Sequence, residues 1–410
     1  MRAAVLSRAR PSLDNARRRP PPKRPPLTLD GLWHSLGFRS LLYQAVVIVV
    51  VVGAAVYMIG NAQEAMQKRG ISTGFGFLGD EAGFAIGESP ISQKPSDTYL
   101  RAYAAAILNT LKVSAVSVVG ATLLGGLIGV ARLSSNWLVA KFASAYIELF
   151  RNTPQLVQII FWYTLVTLLP HPRQAFNLFD WAYLSNRGLN MAWPAADPAY
   201  GWTGVAFVAA CAAAYGIARW ADRLRRRTGR AIMAVWWNAG LIAGLPLAAW
   251  LIGGAPTAFD VPKLRGFNFV GGVVLSPEFI ALLLGLSLYI AAFIAEIVRS
   301  GVQSVSRGQI EAARAVGLGR VDLYLKVILP QALRVIVPPA TAQYVSLTKN
   351  SSLGVAIGYP ELFNVNNTII TLSGNTIECI GIMMAVYLTI AFAIAAVMNV
   401  YNKAVQIKER

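Results

Sequence analysis

The chain has 410 residues, of which 55% are hydrophobic and 14% are charged, and its mean hydropathy is +0.51. This composition excludes an ordinary soluble domain and favours a protein with several membrane-spanning helices. The formal net charge is +18. Because the cations collect on one predicted membrane face, we attribute them to topology and to attraction for anionic lipid head groups rather than to nucleic acid.

The first 40 residues are basic and rich in proline, and they are too polar to bury a core. We therefore predict a disordered cytoplasmic tail over 1–40, followed by the first transmembrane helix and a periplasmic loop over 41–106. The apolar run after the tail is too long for the hydrophobic region of a cleaved signal peptide, so we interpret it as a retained anchor helix.

Long apolar runs recur along the rest of the chain. A hydrocarbon core about 30 Å thick needs about 20 apolar residues per helical span. Runs of that kind predict an all-α membrane protein with eight transmembrane helices. They occupy 40–63, 113–131, 152–172, 198–218, 231–259, 279–295, 335–348 and 379–402. Two glycine pairs are expected to permit close helix crossings, Gly125 with Gly129 and Gly240 with Gly244.

The distribution of lysine and arginine predicts the orientation of these spans. Cations precede the first span, so the N-terminus is expected in the cytoplasm, and eight spans then return the C-terminal tail, 403–410, to the same side. The connection after the fourth span is also expected inside, where it places six arginines. They are Arg219, Arg223, Arg225, Arg226, Arg227 and Arg230.

A polar segment over 299–330 separates two strongly apolar ones. The stretch from Gln309 to Val316 contains good helix formers, with Ala312 and Ala313 keeping one side slim, and Gly317 suits a left-handed helix end. A second amphipathic stretch, 321–328, is expected to end where Pro330 prevents its continuation. Spacing alone leaves open an ordinary cytoplasmic helical hairpin that lies on the membrane surface.

The polar segment resembles the EAA motif by which ABC import permeases engage their ATPase. The residues of this motif are Glu311, Ala312, Ala313, Gly317, Val327, Leu329 and Pro330. Val327 departs from the usual isoleucine, a nearly isosteric change. Further stretches resemble the polar amino-acid (HisM/HisQ-like) family of ABC transporter permeases. They are 109–111, 148–155, 295–302, 329–334 and 349–353.

Residues 69–78 and 176–181 resemble the larger, eight-span permease subunit of the general L-amino-acid (Aap/Bzt) branch of this family. The resemblance implies a type I importer (MetI-like) core over 107–402, with an insertion over 171–275 that adds a loop and two helices. It also implies a bacterial inner-membrane importer of broad L-amino-acid specificity. The implied partners are a second, homologous permease, a homodimer of ABC ATPase subunits and a periplasmic amino-acid-binding protein.

Polar residues around Lys349 form the candidate substrate path. They are Gln343, Lys349, Asn350, Ser351 and Ser352. Lys349 lies about 22 Å beyond Arg334 along an α-helix, and a charge at that depth faces either a cavity or a fixed partner. The alternative is therefore that a carboxylate or carbonyl groups at a helix break hold Lys349. Asn350 replaces the aspartate of many cationic-amino-acid relatives, which fits a broader specificity.

Three residues of the third predicted span, Gln155, Gln158 and Tyr163, are further candidates for the path, although polar side chains also bond between membrane helices as structural contacts. Four charged residues at cytoplasmic helix ends are expected to form structural ion pairs. They are Glu148, Arg151, Glu296 and Arg299.

No catalytic constellation, metal-ligand cluster or ATP-binding phosphate loop occurs in the sequence, so we predict a subunit that is not an enzyme and carries no cofactor of its own. ATP and Mg²⁺ would be bound by the partner ATPase. Cys211 and Cys379 are not expected to form a disulfide. The competing functions are a secondary amino-acid transporter and an ABC permease for another small polar solute.

Overall fold

A computed structural model describes residues 36–68, 74–228 and 234–405, and it divides into two units between Thr73 and Gly74. The described part of the first unit is one helix, α1 (Leu36–Lys68), which contains the predicted span 40–63. Its valine-rich middle is exposed on every side within its own unit, as expected of a helix whose surroundings are lipid. Most of the predicted tail, 1–35, lies outside the described residues.

The second unit begins with a 3₁₀ turn, Gly76–Gly79, and the long helix α2 (Tyr99–Arg132), whose start is capped by Thr98. Two helices follow, α3 (Trp137–Asn152) and α4 (Gln155–Thr167), separated by a break at Pro154. The predicted third span, 152–172, therefore begins at the end of α3 and coincides mainly with α4.

Helix α7 (Pro277–Gln303) is the centre of the core, because it packs against α2, α3, α4 and a later helix, α9 (Leu329–Asn350). Glycines of α2 allow this helix to approach α7 closely. A Cβ added at Gly125 of α2 would lie 2.7 Å from the carbonyl oxygen of Ala291, and one at Gly129 would lie 2.8 Å from that of Ala295. The close crossing predicted for this glycine pair is confirmed. The prediction for Gly240 and Gly244 is wrong within the described part of the chain, because no atom there lies within 4 Å of a Cβ added at either glycine.

The insertion between α4 and α7 contains two helices, α5 (Pro198–Thr228) and α6 (Ala234–Ile252), packed against each other. It also contains short strands that the sequence analysis did not predict. They are β1 (Phe176–Leu178), β2 (Ala182–Ser185), β3 (Gly188–Met191), β4 (Trp193–Pro194), β5 (Phe259–Asp260), β6 (Lys263–Arg265), β7 (Asn268–Val270) and β8 (Val273–Leu275).

These strands form a four-stranded antiparallel sheet in the order β1-β2-β3-β8 and two separate pairs, β4-β5 and β6-β7. The pairing of β3 with β8 places Leu189 opposite Leu275, so the residues before α5 and those after α6 meet in one sheet. Strand β8 leads directly into α7, whose first turn is capped by the Ser276 hydroxyl. The insertion is thereby joined to the start of the central helix.

The C-terminal part begins with α8 (Arg307–Ala315), a helical turn at Arg320–Asp322 and a π-helical segment at Leu323–Ile328. It continues with α9 (Leu329–Asn350), a 3₁₀ segment at Ser351–Ile357, α10 (Leu362–Ser373) and α11 (Thr376–Val405). The prediction that Pro330 stops the helix is wrong. Pro330 occupies the first turn of α9, and the wider π turn before it relieves the contact that a proline ring makes in a regular α-helix.

Among the described residues, five helices are long and apolar enough to cross a membrane: α1, α2, α5, α7 and α11. The other three predicted spans coincide with helices that do not meet both conditions. Helix α4 has 13 residues, and the apolar part of α6, Trp236–Ile252, is also too short, while α9 carries Arg334, Lys349 and two internal prolines. The count of eight spans therefore stays a prediction.

Candidate functional site

The motif residues predicted to engage an ATPase form a compact helical hairpin at the C-terminal end of α7. Helix α8 ends in two hydrogen bonds, from Gly317 N–H to the Arg314 carbonyl at 2.9 Å and from Leu318 N–H to the Ala313 carbonyl at 3.1 Å. This pair of bonds is a Schellman motif, which needs a left-handed residue after the helix. Gly317 has φ of 80° and supplies it.

The hairpin is held by a small apolar cluster of its own. Ala313, Leu323 and Ile328 are buried in this cluster together with Val305 and Ala332, and Val327 packs against it. The two alanines of the motif therefore differ. Ala313 faces the inside of the hairpin, where only a small side chain lets α8 approach the π-helical segment, whereas Ala312 lies on the exposed side. Leu329 and Pro330 continue into α9.

The outer side of the hairpin exposes apolar residues beside an exposed carboxylate. The side chains of Val316 and Val321 are 77% and 70% exposed, and they flank Gly317 at the tip. Glu311 is also exposed, one turn before the end of α8. A rigid, exposed apolar tip of this kind is suited to insertion into a cleft of a partner protein.

Two of the candidate path residues are in direct contact, although they lie on different helices. Asn350, the last residue of α9, donates a 2.7 Å hydrogen bond from its side-chain amide to the Gln155 side-chain carbonyl at the start of α4. One turn further along α4, Ile159 packs on Gly285 of α7.

Lys349 is exposed and makes no ion pair with any carboxylate in the described part of the chain. The helix break expected beside it is present, since α9 changes to a 3₁₀ segment after Asn350. Ser351 and Ser352 bond back to the carbonyl groups of Thr348 and Lys349, at 2.7 and 2.8 Å. Their hydroxyl protons therefore stabilise the break.

The remaining path candidates separate into different environments. Gln158 donates to the carbonyl groups of Phe150 and Thr153 at 3.0 and 3.1 Å, so it satisfies the end of α3 and acts structurally. Tyr163 instead donates to Glu278 at the start of α7, at 3.3 Å. Gln343 is half-buried, two turns before Asn350 on α9.

Of the four residues predicted to form ion pairs, Glu296 and Arg299 are paired, whereas Glu148 and Arg151 form no ion pair within the described part of the chain. Glu296 of α7 is bonded by Arg132 at the end of α2 and by Arg299, whose Nε lies 3.1 Å from a Glu296 oxygen. Arg151 stacks over the Phe293 ring, 5.1 Å from its centroid. Arg132 was not foreseen, although its place at the end of an apolar run is the usual one for such a cation.

A buried carboxylate, Glu361, was also missed by the sequence analysis. It is fully buried, caps α10 through the backbone N–H groups of Phe363 and Asn364, and accepts a 2.8 Å bond from the Tyr387 hydroxyl on α11. The position before an apolar helical run was the available signal. No group of three or more potential metal ligands occurs within 36–68, 74–228 and 234–405.

The family described as binding-protein-dependent transport system inner membrane component matches residues 121–408. The chain belongs to this family. As a member of this permease family it is a membrane component of a transport system that works with a binding protein. The match includes both the hairpin after α7 and the bond between Gln155 and Asn350.

Curated relatives extend the likeness to nearly the whole chain. The general L-amino acid transport system permease protein AapQ of Rhizobium johnstonii is 44% identical over 91% of this chain and 94% of its own. The putative amino-acid ABC transporter permease protein YhdX of Escherichia coli is 46% identical over 91% and 95%. The glutamate/glutamine/aspartate/asparagine transport system permease protein BztB of Rhodobacter capsulatus is 37% identical over 93% and 97%.

A solved structure, titled as a crystal structure of an amino acid ABC transporter with histidines, aligns with 75% of this chain and 95% of its own. The TM-score is 0.45 at 20% sequence identity, too distant a likeness to add to the family assignment.

Proposed function

We propose that the chain is the permease subunit of an ATP-driven importer of L-amino acids in the inner membrane of a bacterium. The support is family membership, together with relatives that are named as amino-acid permeases and that align with this chain over more than nine-tenths of their length. The mixed substrates in the name of BztB favour a broad range of amino acids rather than one.

The proposed assembly contains this chain, a second and homologous permease, two copies of an ABC ATPase, and a binding protein that delivers the amino acid. ATP and Mg²⁺ bind to the ATPase, and this chain contributes no catalytic group. Both termini and the hairpin after α7 lie in the cytoplasm in this arrangement, with the insertion sheet on the opposite side.

The observation that carries the proposal is the rigid hairpin at the end of the central helix. A Schellman motif fixes its tip, an apolar cluster fixes its base, and Val316 and Val321 remain exposed between them. Helix α7, about 40 Å long for 27 residues at 1.5 Å each, connects the base of this hairpin to Glu278 in its first turn. A force applied at the tip therefore acts on the helix around which the core is packed.

The proposed substrate path passes the hydrogen bond between Asn350 and Gln155, where the break in α9 meets the start of α4. The Gln155 side-chain nitrogen is buried without a partner in the described structure, so it is free to donate to a passing carboxylate or carbonyl group. Lys349, exposed beside it, adds a positive charge for the carboxylate of an amino acid.

The test is Gly317→Asp in cells whose only copy of the permease is the variant. Any side chain here is strained by about 1–3 kcal/mol because φ is positive, and a carboxylate adds a desolvated charge at the docking surface. We expect normal insertion, sharply reduced copurification of the ATPase and loss of ATP-driven uptake of labelled amino acids. Ala312→Asp, on the exposed side of α8, should act similarly.

Two controls separate docking from folding. Gly317→Ala introduces the strain without the charge, and no atom lies within 4 Å of its new Cβ, so we expect only a partial loss. Arg320→Ala, on an exposed residue of the same hairpin, should be mild. Full uptake by a normally expressed Gly317→Asp protein would refute the coupling role. Uptake without any P-loop ATPase would favour a secondary transporter instead.

A further inference from the structure

A large cavity lies between the inserted sheet and the core, and nothing in the proposed path uses it. Its volume is about 1130 Å³, at or beyond the upper end of the roughly 300–1,000 Å³ usual for small-molecule sites. We call it the insert-side cavity. It is walled by the 84–90 loop, by α2 at Lys112, by Trp193 and β8 of the insertion, by the start of α7 at Glu278 and by 358–368.

Three charged groups line the insert-side cavity, and two of them are fixed as a pair. The Lys112 ammonium lies 2.5 Å from one Glu88 oxygen and 4.4 Å from the centroid of the Phe279 ring. The other Glu88 oxygen accepts the backbone N–H of Ser276 at 3.1 Å. Because an ammonium group has three donors, Lys112 keeps N–H groups for a ligand while Glu88 holds it in place.

The third charge, Glu278, is not paired with a cation in the described part of the chain. Among the described residues, the Tyr163 hydroxyl donates a hydrogen bond to one of the two Glu278 oxygens, at 3.3 Å. Two carboxylates against one ammonium leave the cavity with a net charge of −1. A half-buried carboxylate without a cation partner is a natural receptor for the ammonium group of a ligand.

Two hydrogen bonds relate Glu278 of the cavity to the proposed path, the first being the one from Tyr163. Tyr163 lies on α4, eight residues beyond Gln155, or about 12 Å along the helix. Gln155 in turn contacts Asn350. A solute that moved from Glu278 along α4 toward its first residue would arrive at the break in α9.

We propose that the insert-side cavity is a receiving site for amino-acid zwitterions, in which Lys112 binds the α-carboxylate, Glu278 binds the α-ammonium, and the excess negative charge disfavours anionic amino acids. The inference rests on the proposed transport function and adds a specificity site formed by the insertion. The apolar walls, including Trp193 and Phe279, accept uncharged side chains of different sizes.

The test compares initial uptake of labelled L-lysine, L-glutamine and L-glutamate by cells that carry one permease variant and the otherwise complete transporter. Glu278→Gln removes the excess negative charge and should lower the lysine-to-glutamate ratio by about threefold or more. Lys112→Gln makes the cavity more negative and should raise the same ratio by a similar factor. Because the binding protein is the same in every strain, a changed ratio reports on the permease.

Two variants serve as matched controls. Lys112→Arg keeps the charge and should keep the wild-type ratio. Glu81→Gln removes an exposed carboxylate outside the cavity and should also leave the ratio unchanged. Because a ratio does not depend on the amount of protein, a variant that merely folds less well lowers all three rates together.

The outcomes separate the inference from the proposed function. Opposite shifts of the ratio in Glu278→Gln and Lys112→Gln support the receiving site. If both variants change the uptake rates of the three amino acids by the same factor, while the wild-type permease takes them up normally, the receiving site is overturned and the proposed function stays intact. Absence of uptake of every amino acid by the parent overturns the proposed function, and the receiving site with it.

Discussion

The packing of α2 against α7 gives a prediction whose size follows from the structure. In Gly125→Ala the new Cβ would lie 2.7 Å from both the Ala291 carbonyl oxygen and the Ile294 Cβ, so the two helices must separate. Overpacking of this kind costs up to about 3 kcal/mol, and the higher helix propensity of alanine returns about 1 kcal/mol. We expect a net loss of about 2 kcal/mol.

The neighbouring residue provides a matched control. Gly126 lies in the same helix, but no atom is within 4 Å of the position that a new Cβ would take there, so Gly126→Ala should gain about 1 kcal/mol from helix propensity alone. The two variants then differ by about 3 kcal/mol, or about 6 °C at roughly 2 °C per kcal/mol for a chain of this size. The assay is the apparent melting temperature of the purified permease in one detergent. A Gly125→Ala protein as stable as Gly126→Ala would refute the close crossing.

Three further predictions concern the contacts of α3, the proposed path and the topology. Gln158→Leu leaves the last carbonyl groups of α3 without donors and should lower the melting temperature by the equivalent of about 1–3 kcal/mol, with little change in selectivity across an amino-acid panel. Asn350→Leu and Gln343→Leu should impair uptake or alter selectivity while the ATPase still copurifies; unchanged uptake in both would place the path elsewhere. Reporter fusions after Arg225 should report cytoplasm and fusions near Ser92 periplasm, and a periplasmic signal at Arg225 would overturn the span count.

The parts of the site that depend on local sequence could be predicted. Gly317 was expected to be left-handed because a helix of good formers ends there, and the structure has φ of 80° at that residue. A close helix crossing at Gly125 and Gly129 was also foreseen, although its partner, α7, was not. Small residues only permit a close approach, however, and the same argument failed for Gly240 and Gly244, where no second helix reaches the glycines.

The parts that depend on long-range contacts could not be predicted. Asn350 and Gln155 are 195 residues apart, and no local pattern indicates that they share a hydrogen bond. The strands of the insertion have two to four residues each, too few to show an alternating pattern. The prediction for Pro330 failed because it assumed a regular α-helix, which a proline usually ends. The chain instead forms a π-helical segment just before Pro330, and the helix continues through it.

The docking of the hairpin after α7 on an ATPase is tested most directly by a photo-cross-link from the tip of the hairpin. Cys211 and Cys379 are both free, and a variant without them accepts one new cysteine, Val316→Cys, which is labelled with a benzophenone maleimide in membranes that contain the whole transporter. Phe179→Cys, equally accessible at 93% exposure on the insertion, is the control. We expect an adduct with a P-loop ATPase from position 316 and none from position 179. An ATPase adduct from position 179, or none from 316 in a transporter that is active, would contradict this expectation.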